Sequence, residues 1–365
     1  MEDRIVLRNV MKLTGEAIDF VIDQGILVEI VEPGQGEGAV IDCTGMYVCS
    51  GWIDLHVHAF PELEPYGDEV DEIGVKQGVT TIVDAGSTGA NRIDELLASA
   101  REAKTNVLAF LNISRIGLER VDELSNPAWI DRQAVRDAVS TYDDFIVGLK
   151  ARMSRSVVGE SGLEPLQVAR ELSVETGKPL MVHIGSGPPD IEEIVPLLEA
   201  NDVITHYLNG KKNNLFNDNM KPLSVLCDAL ARGVQLDVGH GTASFSFKVA
   251  EAAREHGIQF NTISTDMYRG NRIGGPVYSM ANLLTKFLTL GYSLQEVIDG
   301  VTVNPARWLG KPELAHIKVG EPANVTLFSV QDQEVTLIDS EGEERVSTKT
   351  ITAEGVFARG EYIKC

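Results

Sequence analysis

Cations are scarce in this chain. Its 365 residues hold 32 lysines and arginines against 54 aspartates and glutamates, a formal net charge of −22. That balance excludes nucleic acid as the main partner, because phosphate binding needs basic patches. An anionic membrane surface is excluded for the same reason. Cysteine is also sparse. Cys43, Cys49, Cys227 and Cys365 are too scattered for a disulfide framework, and with no Cys-x-x-Cys pair a zinc ribbon is excluded. No apolar run approaches the roughly 18 residues that span a membrane. The opening Met1-Glu-Asp-Arg lacks the basic-then-apolar pattern of a secretory leader. The expectation is a soluble cytoplasmic protein whose charge is mostly solvated surface.

The chain does contain a regular alternation. Arg4–Arg8, Ala17–Ile22 and Ile26–Val31 near the start are β-rich, as are Asn324–Val330, Val346–Ile351 and Gly355–Arg359 near the finish. Between them, eight short apolar runs alternate with helical segments. The runs are Ile53–Val57, Val79–Val83, Val107–Ile113, Phe145–Leu149, Leu180–Ile184, Val203–His206, Val234–Val238 and Phe260–Ser264. Helical patterns such as Arg132–Thr141, Pro165–Thr176 and Ile191–Ala200 lie between, several of them closing on glycine. Eight β/α units predict an α/β fold with a closed (β/α)8 barrel over residues 51–310. The two chain ends, 1–50 and 311–365, are expected to join as a small β-sandwich domain. A doubly wound sheet is the alternative, but no Gly-x-Gly-x-x-Gly follows the first strand.

Function in such a barrel sits at the C-terminal ends of the strands. Four of the seven histidines fall there: His56 and His58 on the first run, His183 on the fifth and His206 on the sixth. Lys150 ends the fourth run, and the eighth leads into Asp266. His56 and His58 are two apart on a strand, so they share a face. Imidazole and carboxylate suit Zn²⁺ and related divalent ions. A His-x-His pair alone also fits a polar strand end, and Lys150 alone a surface lysine; the pattern across five strands is what points to a metal site.

This constellation resembles the amidohydrolase superfamily of metal-dependent hydrolases, most of all its dihydroorotase-like branch and the amidohydrolase/deacetylase group. Ile41–His58 is similar to the family's opening segment. Thr302–Arg307 and Ile317–Val325 are similar to its return into the β domain. Ser50 and Asn324 depart from the usual proline and aspartate. The resemblance implies two divalent metal ions, zinc by preference. His56, His58 and Asp266 would hold one, His183 and His206 the other. Lys150, carboxylated by CO₂, would bridge them, since an ammonium has no lone pair. Burial near cations lowers a lysine pKa in the direction carboxylation requires. Asp266 would act as general base and then acid while a metal-activated hydroxide attacks the acyl carbon.

The implied reaction is hydrolysis of an acyl amide or acyl ester, deacetylation first, on a small carboxylate. Arg115, Arg152, Arg269 and Arg272 near strand ends are candidates to grip that carboxylate. Arg155, Lys211 and Lys212 are further cations near those ends. Tyr207, Asn209 and His240 are candidate substrate contacts. The alternatives are a cyclic-amide hydrolase of dihydroorotase or hydantoinase type, or an adenine-type deaminase. Ala59-Phe60 after His58 leaves no arginine where dihydroorotases of this kind place one. A non-catalytic scaffold of the same fold is a remote alternative, because all six proposed ligands are present. A small-molecule substrate and a homo-oligomer complete the expectation.

Overall fold

Residues 4–365 are described in the computed structural model. Six strands open the chain: β1 (Arg4–Met11), β2 (Ala17–Asp23), β3 (Ile26–Val31), β4 (Ala39–Asp42), β5 (Tyr47–Ser50) and β6 (Trp52–Val57). Six more follow at β/α spacing: β7 (Val79–Ala85), β8 (Asn106–Asn112), β9 (Ile146–Met153), β10 (Leu180–Ile184), β11 (Val203–Thr205) and β12 (Gln235–Asp237). The last are β13 (Val325–Gln331), β14 (Val335–Ile338), β15 (Glu344–Ser347), β16 (Thr350–Ala358) and β17 (Glu361–Lys364).

Strands β6 to β12 pair in chain order as a parallel sheet. Each is buried along most of its length, as parallel strands covered on both faces must be. The segment from Phe260 to Met267 closes the barrel. It bridges β12 through Asp237 and Thr262, and β6 through Val57 and Met267. It is not a regular strand, although its sequence predicts one. Its polar groups bond to buried carboxylates instead of only to a neighbouring backbone. Thr262 and Ser264 donate to Asp237 at 2.6 and 2.7 Å, and the Thr265 amide donates to Asp54 at 3.0 Å.

Helices cover the barrel. Arg132–Thr141 is N-capped by the Asp131 side chain and buries Val135, Ala138 and Val139. Glu164–Thr176 ends at Gly177, whose φ of 69° is the left-handed stop. The helix predicted over 191–200 is only a turn, Ile191–Ile194, followed by a 3-10 turn over Val195–Leu197. Pro196 has no N–H to continue the α-helical ladder. No described helix is long and apolar enough to cross a membrane.

Strands from both chain ends share one sheet, ordered β17-β16-β13-β5-β1-β2-β3, with β4 on β1. It has its own apolar cluster, including Leu7, Phe20, Val48, Leu327 and Phe357. Only Gly51 separates β5 from β6. A Cβ there would lie 1.9 Å from Thr80 Oγ1, so the step from end sheet to barrel needs glycine. The hairpin β14–β15 pairs only with itself among the described strands. It lies off the end sheet and against the barrel, where Asp339 accepts from the Phe247 amide at 2.9 Å.

Candidate active site

The chain brings six side chains together at the C-terminal ends of the barrel strands. His56 comes from β6 and His58 from just beyond it. Lys150 comes from β9, His183 from β10, His206 from just after β11, and Asp266 from the closing segment. His56 Nε2 and His58 Nε2 stand 3.3 and 3.2 Å from Asp266 Oδ1. These three residues form a cluster able to hold a metal ion. The His206 ring centre lies 5.1 Å from that of His56 and 4.4 Å from that of His183. Two of the six have left-handed backbone, His206 at φ 68° and Asp266 at φ 51°. Non-glycine residues in that region are strained and persist only where surrounding structure holds them.

The donor set suits divalent cations. Thr205 Oγ1 spends its one hydrogen on Asp237 at 2.8 Å, so it accepts from His56 Nδ1 at 2.9 Å. His206 Nδ1 faces the Gly239 carbonyl at 2.6 Å, which can only accept. Both rings therefore turn an Nε2 lone pair toward the cluster, the tautomer a metal ligand needs. His58 Nδ1 is held by Ser87 Oγ at 2.9 Å. Thr205→Val should leave His56 without its acceptor. The expected result is a roughly 10- to 100-fold loss of metal affinity, read by chelator competition, with folding intact.

Lys150 is only 1% exposed. Its Nζ contacts His56 Nε2 and Met181 Sδ, each at 3.3 Å, and no carboxylate forms an ion pair with it among the described residues. Burial lowers its pKa to about 7, against the pull of Asp266. Near pH 7 about half of such amines are neutral, against roughly one in 3,000 for an ordinary lysine. Only the neutral amine can attack CO₂. Burial also pushes Asp266 upward, but in the acidic range where it would titrate the imidazoles of His56, His206 and His58 are themselves protonated, outweigh burial and hold the carboxyl well below its ordinary value. Burial likewise keeps His56, His183 and His206 neutral.

A cavity of about 310 Å³ opens over the six. Arg152, Lys211, Tyr66, Tyr268 and the stretch Thr242–Ser244 complete much of its wall. Arg152 shares one nitrogen with the buried Glu123, at 3.2 Å to each oxygen. Tyr66 and Tyr268 meet edge to face at 5.4 Å. A larger cavity, about 690 Å³, lies at the opposite strand ends between Arg170 and Trp308. It contains none of the six, so size does not identify the reacting site here.

Of the seven residues expected to contact substrate, only Arg152 lines the cavity. Arg272 is paired bidentately to Asp68, and Arg269 lies against Glu64 and Asp68. Tyr207 is fully buried in the core, and Asn209 braces its loop by donating to the His206 carbonyl. His240 is stacked on Phe245 and bonded to Lys286. Arg115 anchors a loop through its backbone, to Trp129 and Asn91. Arg155 and Lys212 are exposed. Two wall tyrosines escaped the sequence reading because Tyr66 lies in a long loop with no periodic signal. Tyr268 was detectable: it follows Asp266 by two. Gly241 was also missed. A Cβ there would sit 2.3 Å from Asp266 Oδ2, and its φ is 53°, so only glycine lets the carboxylate occupy its place.

Comparison with known proteins identifies the family. The amidohydrolase family profile matches residues 47–354. A deacetylase of Enterococcus faecalis is 40% identical over 357 residues, covering 96% of each chain. A solved structure described as an adenine deaminase superposes with TM-score 0.93 at 39% identity, covering 99% of each chain. One described as a dihydroorotase gives 0.90 at 30% identity, covering 99% of this chain and 98% of that one. The chain belongs to the amidohydrolase family. It is a hydrolase acting on C–N bonds of small molecules, in a family that generally depends on metal.

Proposed function

We propose that this protein removes an acyl group, an acetyl first of all, from the nitrogen or oxygen of a small carboxylate. The observation that carries the reading is Lys150, a buried lysine with no carboxylate partner among the described residues, set beside the His56 imidazole. That environment fits a carboxylated lysine bridging two divalent ions, zinc by the donor set. Deaminases of this fold often use one metal without such a bridge, so Lys150 favours amide or ester hydrolysis. The relative named a deacetylase supports the same choice.

His56, His58 and Asp266 would hold one ion, His183 and His206 the other, with Lys150 between them. When bound, the ions would supply Lewis acidity that activates water and polarises the acyl oxygen. Asp266 takes the proton of the attacking water and delivers it to the leaving nitrogen or oxygen. Its low pKa keeps it ionised and ready to accept. Arg152 and Lys211 would hold the substrate carboxylate, and Tyr66 and Tyr268 would shield the mouth. A cyclic-amide substrate is less well served, because the Ala59 position offers only an amide already bonded to Asp84. We also assign residues 51–310 to the barrel and 1–50 with 311–365 to the end unit, whose hairpin docks on the barrel.

A panel of N-acetyl and O-acetyl carboxylates, cyclic amides and adenine should give acetate from one of the acetyl compounds. Ammonia from adenine with no acetate from any of them would overturn the proposal. Mass spectrometry should find about two divalent ions per chain, and their removal by chelator should abolish turnover. One ion or none in fully active enzyme would sink the bridged-lysine reading.

A further inference from the structure

His240 looks like a substrate contact in the sequence, yet it faces away from the cavity and into a buried junction. Its Nδ1 donates to the Gly241 carbonyl at 2.8 Å, which leaves Nε2 as an acceptor. Lys286 Nζ donates to that nitrogen at 2.8 Å. It also donates to the Pro276 carbonyl at 2.8 Å and the Ile338 carbonyl at 2.7 Å. The side chain is fully buried, which lowers its pKa to about 7, and in the ammonium form all three hydrogens are used. A buried lysine satisfied this way fixes three segments at once, because releasing any one would leave a buried donor unpaired.

Each tie leads toward Asp266. The His240 tie holds the turn whose Gly241 abuts Asp266 Oδ2. The Pro276 tie holds the chain just past the helix Arg269–Gly274, and within that helix Asn271 donates to the Asp266 carbonyl at 2.8 Å. The Ile338 tie holds β14. From the same hairpin, Ser340 Oγ reaches the Gly241 carbonyl at 3.2 Å and the Ser340 amide bonds the Phe245 carbonyl at 3.0 Å. Glu341 accepts from Ser246 Oγ at 2.8 Å. The 242–244 stretch that walls the cavity is thus bracketed by hairpin contacts.

We infer that Lys286, His240 and the β14–β15 hairpin form a positioning device that holds the Asp266 carboxylate and the 242–244 wall in their reacting geometry. Asp266 has a left-handed backbone and needs such external support. The inference rests on the reading of Asp266 as the proton carrier. Lys286 touches neither substrate nor reacting atoms in this scheme; it acts through the turn.

The test compares Lys286→Met, Ser340→Ala and Asp266→Asn in the full zinc-loaded chain. The substrates are 4-nitrophenyl acetate and the best acetyl carboxylate of the panel. Displacement of a reacting group by about 1 Å costs on the order of 100-fold. Lys286→Met should therefore lose about 10- to 100-fold in kcat per folded chain, with KM within about threefold and two zinc ions retained. Ser340→Ala removes two hydrogen bonds from a half-buried site, the one its Oγ donates to the Gly241 carbonyl and the one it accepts from the Phe245 amide. It should fold normally and lose about three- to tenfold in kcat, and it decides the matter where Lys286→Met fails to fold. A purely structural role would lower the folded fraction and leave kcat per folded chain unchanged, which overturns the inference. An inactive Asp266→Asn beside fully active Lys286→Met and Ser340→Ala overturns this inference alone. A fully active Asp266→Asn sinks the proton-carrier reading and this inference with it.

Discussion

Lys150→Ala is expected to lower kcat/KM by about 10³-fold or more, on the order of 4 kcal/mol of transition-state stabilisation. Alanine removes the group proposed to become a bridging anion among the four imidazoles. It also leaves an open volume beside His56 and Met181, which the stem of Lys150 now fills. A short carboxylic acid such as acetate or propionate can enter that volume and offer two oxygens in place of the carbamate. Activity should return in part with added acid, saturating with its concentration, and zinc content should rise in parallel. The variant should fold, because the loss is polar and local. Turnover within tenfold of wild type, with no added acid, would show that Lys150 bridges nothing.

Asp266→Asn is expected to cost about 10²- to 10⁴-fold in kcat, the usual worth of a positioned acid–base group. The substitution keeps size and shape. The Asn271 bond to the residue 266 carbonyl survives, since it involves backbone. What would be lost is the group proposed to exchange a proton with water and leaving group. The imidazoles of His56, His206 and His58 hold the carboxyl well below its ordinary pKa, overcoming the upward push of burial. A depressed carboxyl is ionised above its folded-state pKa and protonates only as pH falls through it. Wild-type kcat should thus show no inflection from Asp266 at neutral or mildly acidic pH. Asp266→Asn retaining both zinc ions and a tenth or more of wild-type kcat would refute the assignment.

The barrel was legible because its strands are short apolar runs at even spacing, and burial on both faces demands that composition. The convergence of the six residues was legible for a geometric reason. A parallel barrel sends every strand's last residue to one rim, so position on the run predicts position in space. The closing segment was read as a strand, because Phe260–Ser264 has the right residues. Its bonds to Asp237 and Asp54 depend on carboxylates 25 and 211 positions away, which local pattern cannot register. Arg272 was a reasonable anion grip until Asp68, 204 positions away, proved to occupy it. His240 failed similarly, since its partner Lys286 lies on a helix of ordinary amphipathic pattern. Tertiary pairing of charges decides which cations remain for a ligand.

The shared end sheet bears on how the chain is made. β5 pairs on one side with β13, and Thr326 Oγ1 accepts from the Trp52 amide across 274 positions of sequence. A nascent chain therefore carries β5 with an open edge through the synthesis of every barrel strand. The β14–β15 hairpin emerges later still and completes the support of the 242–244 wall. N-terminal parts fold first as a chain emerges, and contacts between distant residues close slowly. Barrel strands can pair during translation, but the sheet edge and the wall behind Asp266 wait for the last residues. A chain cut short before β13 is therefore expected to lack turnover and to leave the β5 edge unpaired, read by assaying the truncated protein beside the full one.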